Sequence, residues 1–282
     1  MKRQIRSSVA IALVSIGTLG VGRSALAQAT VVSLPASEDT TLYAENVALS
    51  NGRGPTMFAG STASGAIRRL LIRFDVTGAI PAHAKIQSAK IRLRMTKTNA
   101  GATAQSLFAV TAPWGEETSN AGDPGGGGTP ATAGDATWRF SSFNTTSWAS
   151  LGGDFLAAAS ASTTVTAIGD YSWSSARLAA DVQSWIDAGS NNGWELIGNE
   201  SALFTSKQCA SRESLTPAAR PALEVAYLCG TDFDRDGFTT GDDFDAFVAA
   251  FEFGGLGSDF DGDGFVTGDD FDAYVVSFEL GC

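Results

Sequence analysis

The chain has 282 residues, with 19 basic and 30 acidic side chains, one histidine, three cysteines and a formal net charge of −11 at pH 7. That acidic balance argues against a nucleic-acid partner and suggests a cation as counter-charge. The one histidine, His83, follows Pro81 in turn-like sequence, and no Ser/His/Asp or Cys/His set can be assembled around it, so the chain reads as non-catalytic.

At the N-terminus, Lys2, Arg3 and Arg6 precede an apolar run from Val9 to Val21 and the small-residue site Ala25-Leu26-Ala27. This is the pattern of a signal peptide cleaved near Ala27, which predicts a secreted or cell-surface protein. The run is too short and too glycine-broken to span a bilayer, and no later segment approaches the roughly 20 apolar residues of a spanning helix. Removing residues 1–27 takes away four basic residues and no acidic one, leaving a net charge of −15. The excess is local, with 14 acidic and one basic residue from Cys229 to Cys282, against 16 and 14 from Gln28 to Leu228. The composition break gives three expected parts: the signal peptide, a body over 28–228 and a tail over 229–282.

The body alternates short β-favouring runs with Gly, Ser, Asn and Thr punctuation, the pattern of an all-β sandwich or barrel. Period-2 alternation puts Leu70, Ile72, Phe74 and Val76 on one face of a strand, with Arg69 and Arg73 opposite. A second strand has Ala89, Ile91, Leu93 and Met95 on one face and Lys90, Arg92 and Arg94 on the other. Further strands are expected at Leu107–Ala112, Trp138–Phe140, Thr163–Ile168, Trp194–Gly198 and Ala222–Tyr227. Leu178, Val182 and Trp185 share a stripe that predicts a helix over Ala176–Ala188. The run Asp123-Pro124-Gly125-Gly126-Gly127-Gly128-Thr129-Pro130 predicts a long surface loop.

Several stretches resemble the DNRLRE-type carbohydrate-binding modules of secreted bacterial proteins, in family order across nearly the whole body. They are Asp39–Tyr43, Phe58-Ala59-Gly60, Arg68–Asp75, Trp114-Gly115-Glu116, Gly134–Trp138, Trp194–Gly198, Ser211-Arg212-Glu213 and Arg220–Val225. The resemblance implies a jelly-roll-like β-sandwich that binds a polysaccharide. Aromatic rings stack on pyranose faces and cations bind hydroxyls or carboxylates, so Trp138, Trp148, Arg73, Arg92 and Arg94 are the candidate sugar-binding residues, the arginine face suiting an acidic polysaccharide. An ordinary solvated strand face is the plainer account of those arginines. Trp185 and Trp194 are expected in the core. Adjacent Glu116 and Glu117 would point to opposite faces of a strand, which does not suit a glycosidase pair.

The tail repeats itself at a shift of 27 residues: Asp232 to Phe251 matches Asp259 to Phe278 at 15 of 20 positions. Each copy places Asp at loop positions 1, 3, 5 and 12 and Gly at 6, an oxygen-rich spacing that wraps a hard cation and predicts two Ca²⁺ ions. Asp side chains at 1, 3 and 5 would coordinate directly, position 7 through its carbonyl, and Thr at 9 through water. A helical stripe follows each loop, Phe244, Phe247, Val248 and Phe251 in one copy and Phe271, Tyr274, Val275 and Phe278 in the other. Only Leu228-Cys229-Gly230-Thr231 and the Gly-rich 253–258 link precede the loops, which leaves no room for an entering helix.

Two loop-then-helix units with the short Asp at position 12 resemble the dockerin family, over essentially all of residues 230–280. The resemblance implies a small all-α calcium-binding domain that docks onto a cohesin-like protein or another cell-surface component. Its ligands would be Asp232, Asp234, Asp236, the Phe238 carbonyl, Thr240 and Asp243, then Asp259, Asp261, Asp263, the Phe265 carbonyl, Thr267 and Asp270. The terminal Gly281-Cys282 is similar to the GC-type variant, in which Cys229 and Cys282 clasp the two ends; Cys209–Cys229 and Cys209–Cys282 are the alternative pairings. Where the family usually has a Ser/Thr pair at positions 10 and 11, this chain has Gly241-Asp242 and Gly268-Asp269. The expectation is a non-catalytic polysaccharide-binding module attached through a dockerin, the alternatives being a structural or adhesive surface component and, third, a polysaccharide-degrading enzyme.

Overall fold

The computed structural model describes residues 29–99, 101–280 and 282; the expected signal peptide lies outside them. The strands are β1 (Thr30–Tyr43), β2 (Leu49–Ser50), β3 (Thr56–Ser61), β4 (Ile67–Phe74), β5 (Lys85–Thr98), β6 (Thr103–Ala109) and β7 (Thr129–Pro130). They continue as β8 (Phe140–Ser142), β9 (Thr146–Ser147), β10 (Ala161–Val165) and β11 (Gly169–Ser174). Helix α1 (Ala176–Ala188) precedes β12 (Trp194–Ile197), β13 (Lys207–Ala210) and β14 (Ala222–Leu228), and α2 (Gly241–Glu252) and α3 (Gly268–Leu280) close the chain. The protein is therefore mainly β with a small C-terminal helical region.

The pairings β1–β14, β14–β5, β5–β13, β13–β3, β3–β4 and β4–β1, all antiparallel, close a ring of six strands. Two strands make the closure by changing partners. β1 pairs with β14 up to Pro35 and with β4 from Ala36, the register slipping between Ala36 and Glu38. β3 leaves β13 for β4 at Gly60, whose φ of +112° and whose closeness to Thr205, where a Cβ would stand 2.8 Å from the carbonyl oxygen, both require glycine. From β4 the sheet continues through β12 and β6 to β10, while β11 lies beside β5.

The main core follows the alternation read from sequence: Leu70, Ile72 and Phe74 of β4 and Ala89, Ile91, Leu93 and Met95 of β5 all point into it. Trp173 and Trp194 are fully buried there, each worth several kcal/mol of transfer free energy at about 25 cal/mol per Å². Their indole N–H groups reach the Gln105 carbonyl at 2.8 Å and Asp181 Oδ2 at 2.9 Å, so neither burial strands a donor. Helix α1 lies where its stripe predicted, started by the Ser175 hydroxyl accepting from Leu178 N and ended by left-handed Gly189. Trp185 of that helix meets Trp194 edge-on at 4.4 Å.

A second cluster, Leu42, Leu71, Val110, Trp114, Ala136, Trp138 and Trp148, forms where the segment after β6 folds over β1 and β4. Leu71 lies in this cluster and its neighbours Leu70 and Ile72 in the other, so β4 is buried on both faces. Some expected strands moved. Trp138 precedes β8 in a turn, because Thr137 and Phe140 are already bonded N–H to carbonyl across it; the strand expected over Thr163–Ile168 stops at Val165. The glycine-rich run is irregular as expected up to Gly128, but Thr129–Pro130 pair with β2. Tyr43 Oη (to the Gly125 carbonyl, 2.8 Å) and Arg68 (to the Gly126 carbonyl) hold this run against the body.

Candidate metal centre

The C-terminal region hangs from β14 by Leu228, and a Cys229–Cys282 disulfide, Cα–Cα 5.3 Å, returns its end to its start. Cys282 also packs against the main core, and Phe260 meets His83 of the body at 4.8 Å between ring centroids. Cys209 is a free thiol buried in the main core, and burial pushes its pKa up, which makes it a small apolar side chain and an unreactive one.

Aromatic side chains hold the two helices together. Phe247 of α2 and Tyr274 of α3 stack with centroids 3.8 Å apart, and Phe233 and Phe260, at position 2 of the first and second loops, close on the same pair edge-on. Thr240 caps α2 in a reciprocal box with Asp243, and Thr267 accepts from Asp269 N ahead of α3. Loop positions 9 and 12 therefore start the helix as well as close the loop, which is why each helix can begin directly after its aspartates.

In the first loop, carboxylate oxygens of Asp232, Asp234, Asp236 and Asp243 lie within 4.8 Å of one another. Backbone N–H groups turn the aspartates inward: Gly237 donates to Asp232 Oδ2 at 3.0 Å, Asp236 to Asp234 at 3.0 Å, Phe238 to Asp236 at 2.9 Å and Asp234 to Asp243 Oδ1 at 3.0 Å. Asp232 is 8 % exposed, and its Oδ1 is buried with no hydrogen-bond partner. A buried carboxylate oxygen without a donor, among three further carboxylates, is what a hard cation satisfies. In the second loop Asp259, Asp261 and Asp263 form the corresponding group. Asp270, expected to close it, is turned to the backbone and accepts from Phe260 N at 2.7 Å, Asp261 N at 3.1 Å and Thr267 N at 2.7 Å. The side chains of Phe238 and Phe265, at position 7, are each 70 % exposed.

Titration follows this geometry. Desolvation raises the Asp232 pKa, assisted by the charges of Asp243 and Asp236; Asp234 is raised by the same causes. At Asp270 desolvation also acts upward, but the three backbone donors outweigh it and the pKa is lowered. The Asp clusters of the C-terminal region can thus hold a metal ion.

The residues expected to bind sugar fall in two separate places. Trp138 and Trp148 are 9 % and 6 % exposed in the second cluster, so their ring faces are closed to stacking; Arg73 stands 5.3 Å over Trp114 of the same cluster and pairs with Glu38. Arg92 and Arg94 instead face Asp170 of β11, with Arg92 also donating to the Ala218 and Arg220 carbonyls. Two buried carboxylates escaped the sequence reading because nothing in their spacing marks them. Asp39 accepts from Arg212 N beside Glu116, and Glu195, fully buried, has only Arg69 at 3.6 Å and no hydrogen bond to either oxygen. Desolvation raises both pKa values well above their ordinary values. Above Glu195, backed by the bare backbone of Gly153, opens a cleft of about 620 Å³ lined by Arg69, Thr111, Leu151, Asp154 and Phe155. Arg69 is clamped bidentately by Glu200 and stands 4.9 Å from Trp138.

No family model and no curated protein matches the chain. No helix among the described residues is long and apolar enough to cross a membrane.

Proposed function

We propose that this is an exported, non-catalytic polysaccharide-binding module, a jelly-roll-like β-sandwich of the DNRLRE type, attached to a cohesin-like protein or cell-surface component by a dockerin-type tail that needs two Ca²⁺ ions. The observation that carries the attachment half is the buried, donorless Asp232 Oδ1 among the carboxylates of Asp234, Asp236 and Asp243. The ion would be held by these side chains and would supply the positive charge that an otherwise self-repelling region lacks. For the binding half, the resemblance across the body is the support, and the Arg69–Asp154 cleft offers polar groups for sugar hydroxyls beside the half-buried ring of Phe155.

A second reading, a structural or adhesive surface component without sugar binding, is favoured by the closure of Trp138 and Trp148 and the pairing of Arg92 and Arg94. Native gels cast with a panel of neutral and acidic polysaccharides separate the two. Retardation by one polysaccharide supports the module; uniform mobility across the panel supports the structural component, and sugar release on incubation would point to the third reading, an enzyme.

A further inference from the structure

The two aspartate loops are duplicates in sequence, but their carboxylates are not arranged alike. Asp232 and Asp259 hold the first position of each. In the second loop both Asp259 oxygens are occupied, Oδ1 accepting from Gly262 N at 2.9 Å and Oδ2 from Gly264 N at 3.1 Å. In the first loop, Gly237 N takes only Oδ2 of Asp232, and Oδ1 stays buried without a donor. Position 12 differs in the same direction. Asp243 stands within the first group of four while accepting from Asp234 N and Thr240 N, whereas Asp270 takes the matching bonds from Asp261 N and Thr267 N, a further one from Phe260 N at 2.7 Å, and is outside the second group of three.

The surroundings favour the first loop as well. It starts three residues after Cys229, so the disulfide and β14 fix its root, and Tyr274 Oη donates to the buried Thr231 carbonyl immediately before Asp232 at 3.1 Å. The second loop follows the glycine-containing link at Gly254-Gly255 and Gly257. A groove of about 500 Å³ bordered by Thr30, Tyr227, Asp232 and Phe238 gives an ion a route to the first loop. An ion entering there gains four carboxylates already converged and relieves a buried unpaired oxygen; in the second loop it meets three, with both Asp259 oxygens already served by backbone N–H groups, and must recruit Asp270. Ligand charge and site rigidity set Ca²⁺ affinity over orders of magnitude.

We propose that the first loop, centred on Asp232, is the tight cation site and fills before the second. This rests on the metal-loop reading given above. The test is calorimetric titration of the metal-stripped full chain with CaCl₂, run on the wild type, Asp232→Asn and Asp259→Asn. The wild type is expected to show two steps at least about tenfold apart; Asp259→Asn keeps the tight step and Asp232→Asn loses it. Equal steps, or a tight step that survives Asp232→Asn and disappears in Asp259→Asn, would overturn the order while leaving calcium binding intact. No Ca²⁺ uptake by the wild type would overturn the metal-loop reading and this order together. Should a variant fail to fold, ¹H–¹⁵N spectra of the wild type during the same titration decide: the Gly237 amide saturates before that of Gly264 if the order holds, and together with it or after it if it does not.

Discussion

Phe247 and Tyr274 lie parallel, 3.8 Å apart with 3° between their planes, and the Tyr274 hydroxyl continues from that stack to the Thr231 carbonyl. One residue pair thus joins α2 to α3 and both to the root of the first loop. Phe247→Ala should therefore destabilise the C-terminal region by about 3–5 kcal/mol, and Tyr274→Phe, which removes only the hydrogen bond, by about 1 kcal/mol. Chemical denaturation of the full chain followed by helical circular dichroism measures both; equal effects would contradict the central role of the stack.

The disulfide should contribute separately. Cys229 and Cys282 are 53 residues apart, and closing a loop of that length stabilises by about 4 kcal/mol in the chain-entropy model. A Cys229→Ser/Cys282→Ser double variant is expected to lose that much from the C-terminal transition and to leave the β-rich body's transition nearly in place. Loss confined to the body would contradict it.

Removing metal should have a pH signature. Asp232 and Asp234 have folded pKa values above their unfolded ones, so the stability tied to their neutral forms is present in acid and lost as pH rises through the folded values. Asp270, with a lowered pKa, runs the other way and loses its share on acidification. With two raised groups against one lowered, chelator should lower the melting temperature of the C-terminal region strongly at pH 7 and little at pH 4, where the ligands themselves protonate. Melts with and without chelator at the two pH values check this.

Glu195 makes the corresponding prediction for the body. Its pKa is raised well above the unfolded value of about 4.3, chiefly by desolvation, so wild-type stability falls as pH rises through the folded value. Glu195→Gln keeps the shape and removes the titration, and Arg69 retains Glu200. The variant should be more stable than the wild type by about 1–3 kcal/mol at pH 8, with the gap closing toward pH 4. A constant difference across that range would mean the carboxyl does not titrate in the fold.

What the sequence disclosed and what it hid divide along local and tertiary lines. The aspartate loops are local devices, six ligand positions within twelve residues, so their spacing alone placed them. Strands β4 and β5 alternate because one face of each meets the main core, and α1 carries its cap and stripe within its own residues. β1 was missed because its pattern is tertiary: Asp39, Thr40 and Thr41 are buried polar residues whose partners come from afar, Arg212 N donating to Asp39 Oδ2 and Phe58 N to the Thr41 hydroxyl. Trp138 and Trp148 stood out as loop tryptophans, yet the segment that carries them folds onto β1 and β4 and buries their rings. That Asp270 takes an extra backbone donor, Phe260 N, and stands outside the carboxylate group where Asp243 joins its own was beyond sequence, since the two loops match at position 12.

Metal counting on the chain itself is the most direct trial of calcium dependence. After dialysis of the full chain against micromolar CaCl₂ and removal of free ion, elemental analysis should find two calcium ions per molecule, falling to none or one when Asp232 and Asp259 are both replaced by alanine. Calcium at background level in the wild type, or two ions still bound by the double variant, would contradict it.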